Sequence, residues 1–171
     1  MSGVTLSPLQ GDDSDLLFTW INDRDLVVRS APFKPVPRSE HDAWFEQIRR
    51  RDDVRIFGIR EDGRLVGTCQ LHSIHPVHRS AELQIRIGEP DARGRGLGTA
   101  AVARLLEFGF HELGLHRISL HVFATNEPAL QLYERAGFRV EGVQREAACI
   151  DSVWVDVVLM AILAADFQPA A

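Results

Sequence analysis

The stretch Ala81–Thr99, AELQIRIGEPDARGRGLGT, constrains this chain more than any other. Leu83, Ile85 and Ile87 alternate with Glu82, Gln84 and Arg86, the period of a strand with one buried face. Gly88 and Pro90 stop that strand. Arg93-Gly94-Arg95-Gly96-Leu97-Gly98 follows, and an apolar repeat of helical period comes next. Glycines at the mouth of a helix leave backbone N–H groups open to an anion, and the helix dipole adds roughly half a positive charge there. Arg93 and Arg95 place full charges beside it. The segment suits a phosphate, although a plain glycine-rich turn into a helix gives the same pattern. The spacing excludes a G-x-G-x-x-G dinucleotide fingerprint and a Walker loop ending in G-K-[ST].

The flanking sequence supplies elements for a mixed α/β fold. Val4 and Leu6 predict a first strand. Asp12, Asp13 and Ser14 offer caps for a helix through Leu16, Leu17 and Trp20. Asn22 to Pro37, with Pro32, Pro35 and Pro37, reads as an irregular binding loop. Ser39 is the expected cap of a second helix, with Asp42 in its first turn and Trp44, Phe45 and Ile48 at helical spacing. Val54, Ile56 and Ile59 predict a strand, Asp62-Gly63 a tight hairpin, and Leu65–Leu71 the returning strand. Val102, Leu105, Leu106, Phe110 and Leu113 form a helical stripe ended by Gly114. Ile118, Leu120 and Val122 alternate as a strand. Thr125 or Asn126 caps a further helix that carries Pro128 in its first turn and ends before Gly137. Phe138–Val143 and Val153–Leu163 complete the order β-α-α-β-β-β-α-β-α-β-β, read as a single domain over residues 1–171.

Charge and composition narrow the function. A net charge of −5 argues against a protein that coats nucleic acid or an anionic membrane. The N-terminus lacks the basic and apolar regions of a secretory signal, and the apolar stretch Val153–Ala165 is interrupted by Asp156 and too short to span a bilayer. A cytoplasmic setting is expected, with Cys69 and Cys149 as buried free thiols. His72, His75 and His78 lie on a strand and a proline-containing turn, a spacing that does not converge three imidazoles on a metal, so no metal is expected. No G-x-S-x-G nucleophile motif is present.

A second motif spans Asn126–Phe138, which reads N-x-x-A-x-x-x-Y-E-x-x-G-F. Together with R-x-x-G-x-G at Arg93–Gly98, and in this order of elements, it resembles the GNAT superfamily of acyl-CoA-dependent N-acyltransferases over nearly the whole chain. The resemblance implies a mixed, mostly antiparallel central sheet flanked by helices and splayed between Leu83–Ile87 and Ile118–Val122. It implies acetyl-CoA as co-substrate and direct transfer of the acetyl group to a primary amine. Ile85 and Ile87 would pair with the pantetheine amides. Arg93, Gly94, Arg95, Gly96, Leu97, Gly98 and Thr99 would hold the pyrophosphate, and Asn126 and Tyr133 would line the cleft. The Tyr133 hydroxyl would protonate the departing thiolate. Glu82 is the first candidate for the base and His72 the second. Read from the residues alone, Tyr133 is a packed aromatic and Glu82 a surface carboxylate.

Leu16–Asp23, Val27–Arg29 and Glu40–Phe45 resemble two branches of that superfamily. The branch acting on nucleotide-linked amino sugars shares W-x-N and E-H-x-x-W-F, although Ile21 departs from its usual arginine. The ribosomal-protein N-acetyltransferase-like branch shares the overall layout and the D-x-x-x-M segment Asp156–Met160. The expected acceptor is a small-molecule amine, with a protein N-terminus or lysine as the alternative. Arg29, Lys34, His41 and His72 are the candidate substrate contacts. Trp20, Trp44 and Phe45 serve either the core or the site. A non-catalytic acyl-CoA sensor and an aminoglycoside-modifying enzyme are the other readings, and an intact Asn126 and Tyr133 count against the sensor. A homodimer is left open.

Overall fold

The computed structural model describes residues 3–169. Seven strands form one sheet in the order β1-β2-β3-β4-β5-β7-β6. They are β1 (Val4–Pro8), β2 (Arg55–Glu61), β3 (Arg64–His75), β4 (Ser80–Ile87), β5 (Arg117–Phe123), β6 (Arg139–Ile150) and β7 (Val153–Leu163). Every neighbouring pair is antiparallel except β4 and β5. A parallel pair needs a crossover, and α4 (Leu97–Glu107) supplies it. The other helices are α1 (Ser14–Ile21), α2 (Arg24–Val27), α3 (Arg38–Ile48) and α5 (Glu127–Arg135).

Strand alternation sends side chains into two separate cores. Phe57 packs with the large cluster that joins Leu71, Leu83, Ile118 and Leu120 to Leu97, Val102, Leu105 and Leu106 of α4. Ile56, its neighbour on β2, packs instead with Leu9, Leu17, Trp20, Leu26, Phe45 and Leu65, the cluster built by α1 to α3. Helices therefore cover both faces of the sheet. The hairpin at Asp62 (φ 48°) and Gly63 (φ 84°) has both central residues left-handed, as the two-residue turn requires.

Several local expectations change. The Asn22–Pro37 segment contains the short helix α2, because Asp23 accepts the Leu26 N–H at 3.2 Å and nucleates a turn. Ser39 is not a cap. The Pro37 carbonyl already accepts the His41 N–H at 3.0 Å, so α3 begins at Arg38 and Glu40, rather than Asp42, lies in its first turn. Asp13 occupies the N-cap of α1, but its carboxylate receives Arg60 at 2.8 and 2.9 Å instead of a helix N–H. β6 runs on to Ile150 as an exposed edge strand with two register shifts, so no buried face betrays it in sequence. Cys149 on that strand is exposed. Cys69 is buried as expected, which pushes its thiol pKa up to about 12.

Trp20 fixes α1 to the end of β4. Its indole N–H donates to Glu89 Oε1 at 2.9 Å, and its ring lies over Gly88, where an added Cβ would sit 2.1 Å from two ring carbons. Gly88→Ala should therefore displace Trp20 and cost about 1–3 kcal/mol. A thermal melt should show Tm lower by several degrees. An unchanged Tm would mean that the ring moves aside without loss.

Candidate active site

The site starts where the parallel pairing stops. β4 and β5 are joined only at Ser80–Arg117, Ala81–Ile118 and Glu82–Ser119, and the strands then diverge. β4 stays paired to β3 as far as Ile87. The Gly88 N–H donates to the Val66 carbonyl at 2.9 Å, and alternation along the ladder then turns the main chain of Glu82, Gln84 and Arg86 toward β3. The main-chain groups of Ile85 and Ile87 face the opening left by β5. Nη2 and Nε of Arg93 donate to the Gly88 carbonyl (2.7 Å) and the Ile87 carbonyl (3.2 Å). The Ile85 groups and the Ile87 N–H are left for a strand-like ligand.

The glycine loop closes one end of this opening. Gly94 (φ 70°) and Gly96 (φ 80°) are left-handed, and Gly96 is the N-cap of α4. Nothing lies within 4 Å of a Cβ built on either residue, so the surface over the helix mouth is open. The first N–H groups of α4, at Leu97, Gly98 and Thr99, have no intrahelical acceptor. These features fit a pyrophosphate. The arginines behave differently from the sequence expectation. Arg93 is engaged by the two carbonyls, and Arg95 forks onto Glu61 at 2.7 and 2.9 Å. Both arginines thus hold the loop in shape through these contacts.

Tyr133 projects from α5 into the large core and is only 7% exposed, with its ring edge-on to Phe138 at 5.7 Å. Its hydroxyl makes no hydrogen bond to any described residue. Burial pushes its pKa up to about 12, so it remains an O–H donor at neutral pH. Asn126 is the N-cap of α5. Its Oδ1 accepts the Ala129 N–H at 3.3 Å and its Nδ2 donates to the Arg29 carbonyl at 3.2 Å. This side chain ties the 22–37 segment to α5. The Arg29 side chain folds back on the Asp25 carbonyl at 3.2 Å, and Lys34 is exposed.

On the α1–α3 face, Glu82 lies opposite His72 in the β3–β4 register. Glu82 Oε2 lies 3.4 Å from Nδ1 of His121 on β5, a residue the sequence reading did not select. The register brings it there: parallel pairing of Glu82 with Ser119 puts His121 two positions further along the same face. His72 Nδ1 contacts Ser73 Oγ at 3.1 Å. His41 is 3% exposed, with Nε2 at 2.9 Å from the Ser14 carbonyl and 3.1 Å from Ser14 Oγ. Above the sheet a cavity of about 330 Å³ is bounded by Leu17, Trp20, Ile21, Val36, Glu40, His41, Trp44 and Ile56, with Thr68, Gln70, Gln84, Ile85 and Arg86 from β3 and β4. Trp44 is thus a half-exposed wall of the cavity, whereas Trp20 and Phe45 belong to the core.

A splayed β4–β5 pair ending in a glycine-rich helix mouth defines an acyl-CoA-dependent transferase, and the relatives of the chain agree. Residues 4–139 match the acetyltransferase (GNAT) domain family, and the chain belongs to it. It is 32% identical over 164 residues to spermidine N(1)-acetyltransferase of Vibrio cholerae, across 95% of this chain and 94% of that protein. To the Escherichia coli K12 spermidine N(1)-acetyltransferase it is 36% identical over 108 residues, 63% of this chain and 58% of that one. The Vibrio cholerae spermidine N-acetyltransferase structure in complex with CoA and spermine superposes with a TM-score of 0.88 at 30% identity, covering 95% and 96% of the two chains. The protein is an acetyl-CoA-dependent N-acetyltransferase, as its motifs imply. Among the described residues no helix is long and apolar enough to cross a membrane.

Gly96→Val should abolish acetyl-CoA binding, because a branched side chain at φ 80° strains the turn and fills the open helix mouth. Acetyl-CoA at a thousandfold excess over Kd should stabilise the wild type by about 4 kcal/mol, and this rise in Tm should vanish in a folded variant. A retained rise would place the phosphates elsewhere.

Proposed function

We propose that this enzyme acetylates the primary amine of a small molecule that enters from the α1–α3 face, with Tyr133 as acid and Glu82, assisted by His121, as base. The observation that carries this reading is the opening after Glu82–Ser119. It borders the unpaired backbone of Ile85, the cavity and the Glu82 carboxylate together. Acetyl-CoA supplies the acetyl group as an activated thioester. Ile85 and Ile87 would align the pantetheine arm, and the N–H groups from Gly94 to Thr99 would receive the pyrophosphate.

An ammonium has no lone pair to attack with, so the acceptor first gives a proton to Glu82, directly or through a water. The amine nitrogen then bonds to the thioester carbon and the carbon–sulfur bond breaks. Tyr133 gives its proton to the departing sulfur. The second proton lost from nitrogen as the amide forms balances the one that Tyr133 gave up. The size of the cavity and its wall at Val36 and Trp44 favour a compact acceptor over a protein terminus. The names of the relatives, which specify a small polyamine, support that class.

Two substitutions test the assignment. Tyr133→Phe keeps the ring and removes only the donor. It should lower kcat and kcat/KM together by about 10²-fold or more while acetyl-CoA Kd stays within about twofold. Equal kcat under rate-limiting chemistry would return Tyr133 to packing alone. Glu82→Gln should lower kcat/KM at pH 7, and the deficit should shrink toward pH 9 as free amine accumulates. If the ratio of wild type to variant stays flat between pH 6 and 9, Glu82 is not the base.

A further inference from the structure

Arg86 stands apart from the other arginines. Among the described residues it alone is sheltered from water and yet makes neither an ion pair nor a hydrogen bond. The arginines without a partner elsewhere, Arg79, Arg104 and Arg145, are all exposed. Partial burial pulls the Arg86 pKa below its ordinary value, with no anion beside it to offset the loss of hydration. A sheltered guanidinium is costly unless a partner completes it. The phosphate cradle begins past the end of β4, whereas Arg86 lines the cavity on the acceptor side. Glu40, the acidic residue of that lining, is exposed and forms no pair with it.

A second unsatisfied group lies one rung away. Arg86 is opposite Thr68, and Gln84 is opposite Gln70. Gln70 Nε2 donates to Gln84 Oε1, while Gln70 Oε1 is buried without a hydrogen-bond partner. Successive residues on one strand face are about 7 Å apart. The cavity therefore offers a cationic fork at Arg86, on the same strand face as Glu82. Leu17, Ile21, Trp44 and Ile56 wall the space beside it with apolar surface.

We propose that the acceptor is an amino-acid-like amine with an apolar body, whose carboxylate is held by Arg86. This rests on the acetyltransferase reading of the same site. A planar carboxylate matches the two parallel donors of a guanidinium, and the pair is strong where water is excluded. A polycation would set like charge against Arg86 in that sheltered position.

The test measures CoA thiol release from acetyl-CoA with leucine, phenylalanine, leucinamide, phenylalaninamide and spermidine. The carboxylates should exceed their carboxamides in kcat/KM by about thirtyfold or more, and spermidine should fall below both. The amides carry the less basic amine and hence more free base at pH 7, so such a preference reads the carboxylate and not amine basicity. Arg86→Gln should collapse the ratio to within a few-fold, Arg86→Lys should leave it intermediate, and acetyl-CoA Kd should hold within about twofold in both. Phenylalanine should raise the Tm of the CoA-bound wild type and not that of CoA-bound Arg86→Gln. Spermidine turnover above every amino carboxylate, or a ratio indifferent to Arg86→Gln, overturns the proposal and leaves the acetyltransferase reading intact. Failure to bind acetyl-CoA, or to acetylate any amine, overturns both.

Discussion

The parallel contact between β4 and β5 lasts three residue pairs, and the rest of the architecture depends on its ending there. A continuous ladder would satisfy the main chain of Ile85 and Ile87 and close the sheet to ligands. The crossover through α4 joins the two strands, so the helix mouth and the opening lie at the same end of β4. Arg93 then fixes the exit of the chain by bonding the last β4 carbonyls. An opening between strands needs support from both flanks. β3 holds β4 along its full length, and β7 pairs with β5 from Arg117 to Phe123. The gap is therefore bounded by two strands that are each paired on their far side, not by a frayed edge.

The second face is held by a few specific contacts that carry charge or aromatic surface. Asp13, 5% exposed, joins α1 to β2 through Arg60, which also donates to Ser7. Trp20 joins α1 to the β4 exit through Glu89, and Glu89 in turn receives Arg64 at 2.5 Å. His41 joins α3 to α1 through Ser14. These ties set the distance of α1 and α3 above the sheet and so the height of the cavity. Breaking a buried pair of this type is costly because one charge is left without a partner. The residues that shape acceptor space are thus partly structural ones remote from the reacting atoms.

The elements with one buried face were readable from sequence, and so was the glycine loop. Leu83, Ile85 and Ile87 alternate, the α4 stripe repeats at helical spacing, and Asp62-Gly63 announces its turn. Legibility failed where structure depends on partners distant in sequence. The carbonyls of Ile87 and Gly88 that take Arg93, and the carboxylate of Glu61 that takes Arg95, cannot be seen from the loop's own neighbourhood. Asn126 read as a helix cap, and its amide also reaches 97 positions back to the Arg29 carbonyl, a tie no local pattern announces. His121 escaped notice because only the parallel register brings it to Glu82. The far half of β6 lacked any apolar period, since an edge strand exposed on both sides does not need one.

A folded chain pairs nearly all of its sheltered polar groups, so those left over carry information. Here they collect around one opening. The Ile85 main chain, the Arg86 guanidinium, the Tyr133 hydroxyl and the first N–H groups of α4 all lack partners within the described residues, and all belong to elements around the gap between β4 and β5. Elsewhere the arginines that are sheltered are bonded, as Arg60 and Arg93 show. The pattern separates donors from acceptors by position. Donors at the helix mouth suit phosphate oxygens, the strand edge suits amides that both donate and accept, and the cavity presents a cationic fork at Arg86. A ligand that completes this set has anionic, amide and amine chemistry in that order along β4. That is the order in which a pyrophosphate, a pantetheine arm and an acceptor nitrogen meet when an acetyl group is transferred to an amine.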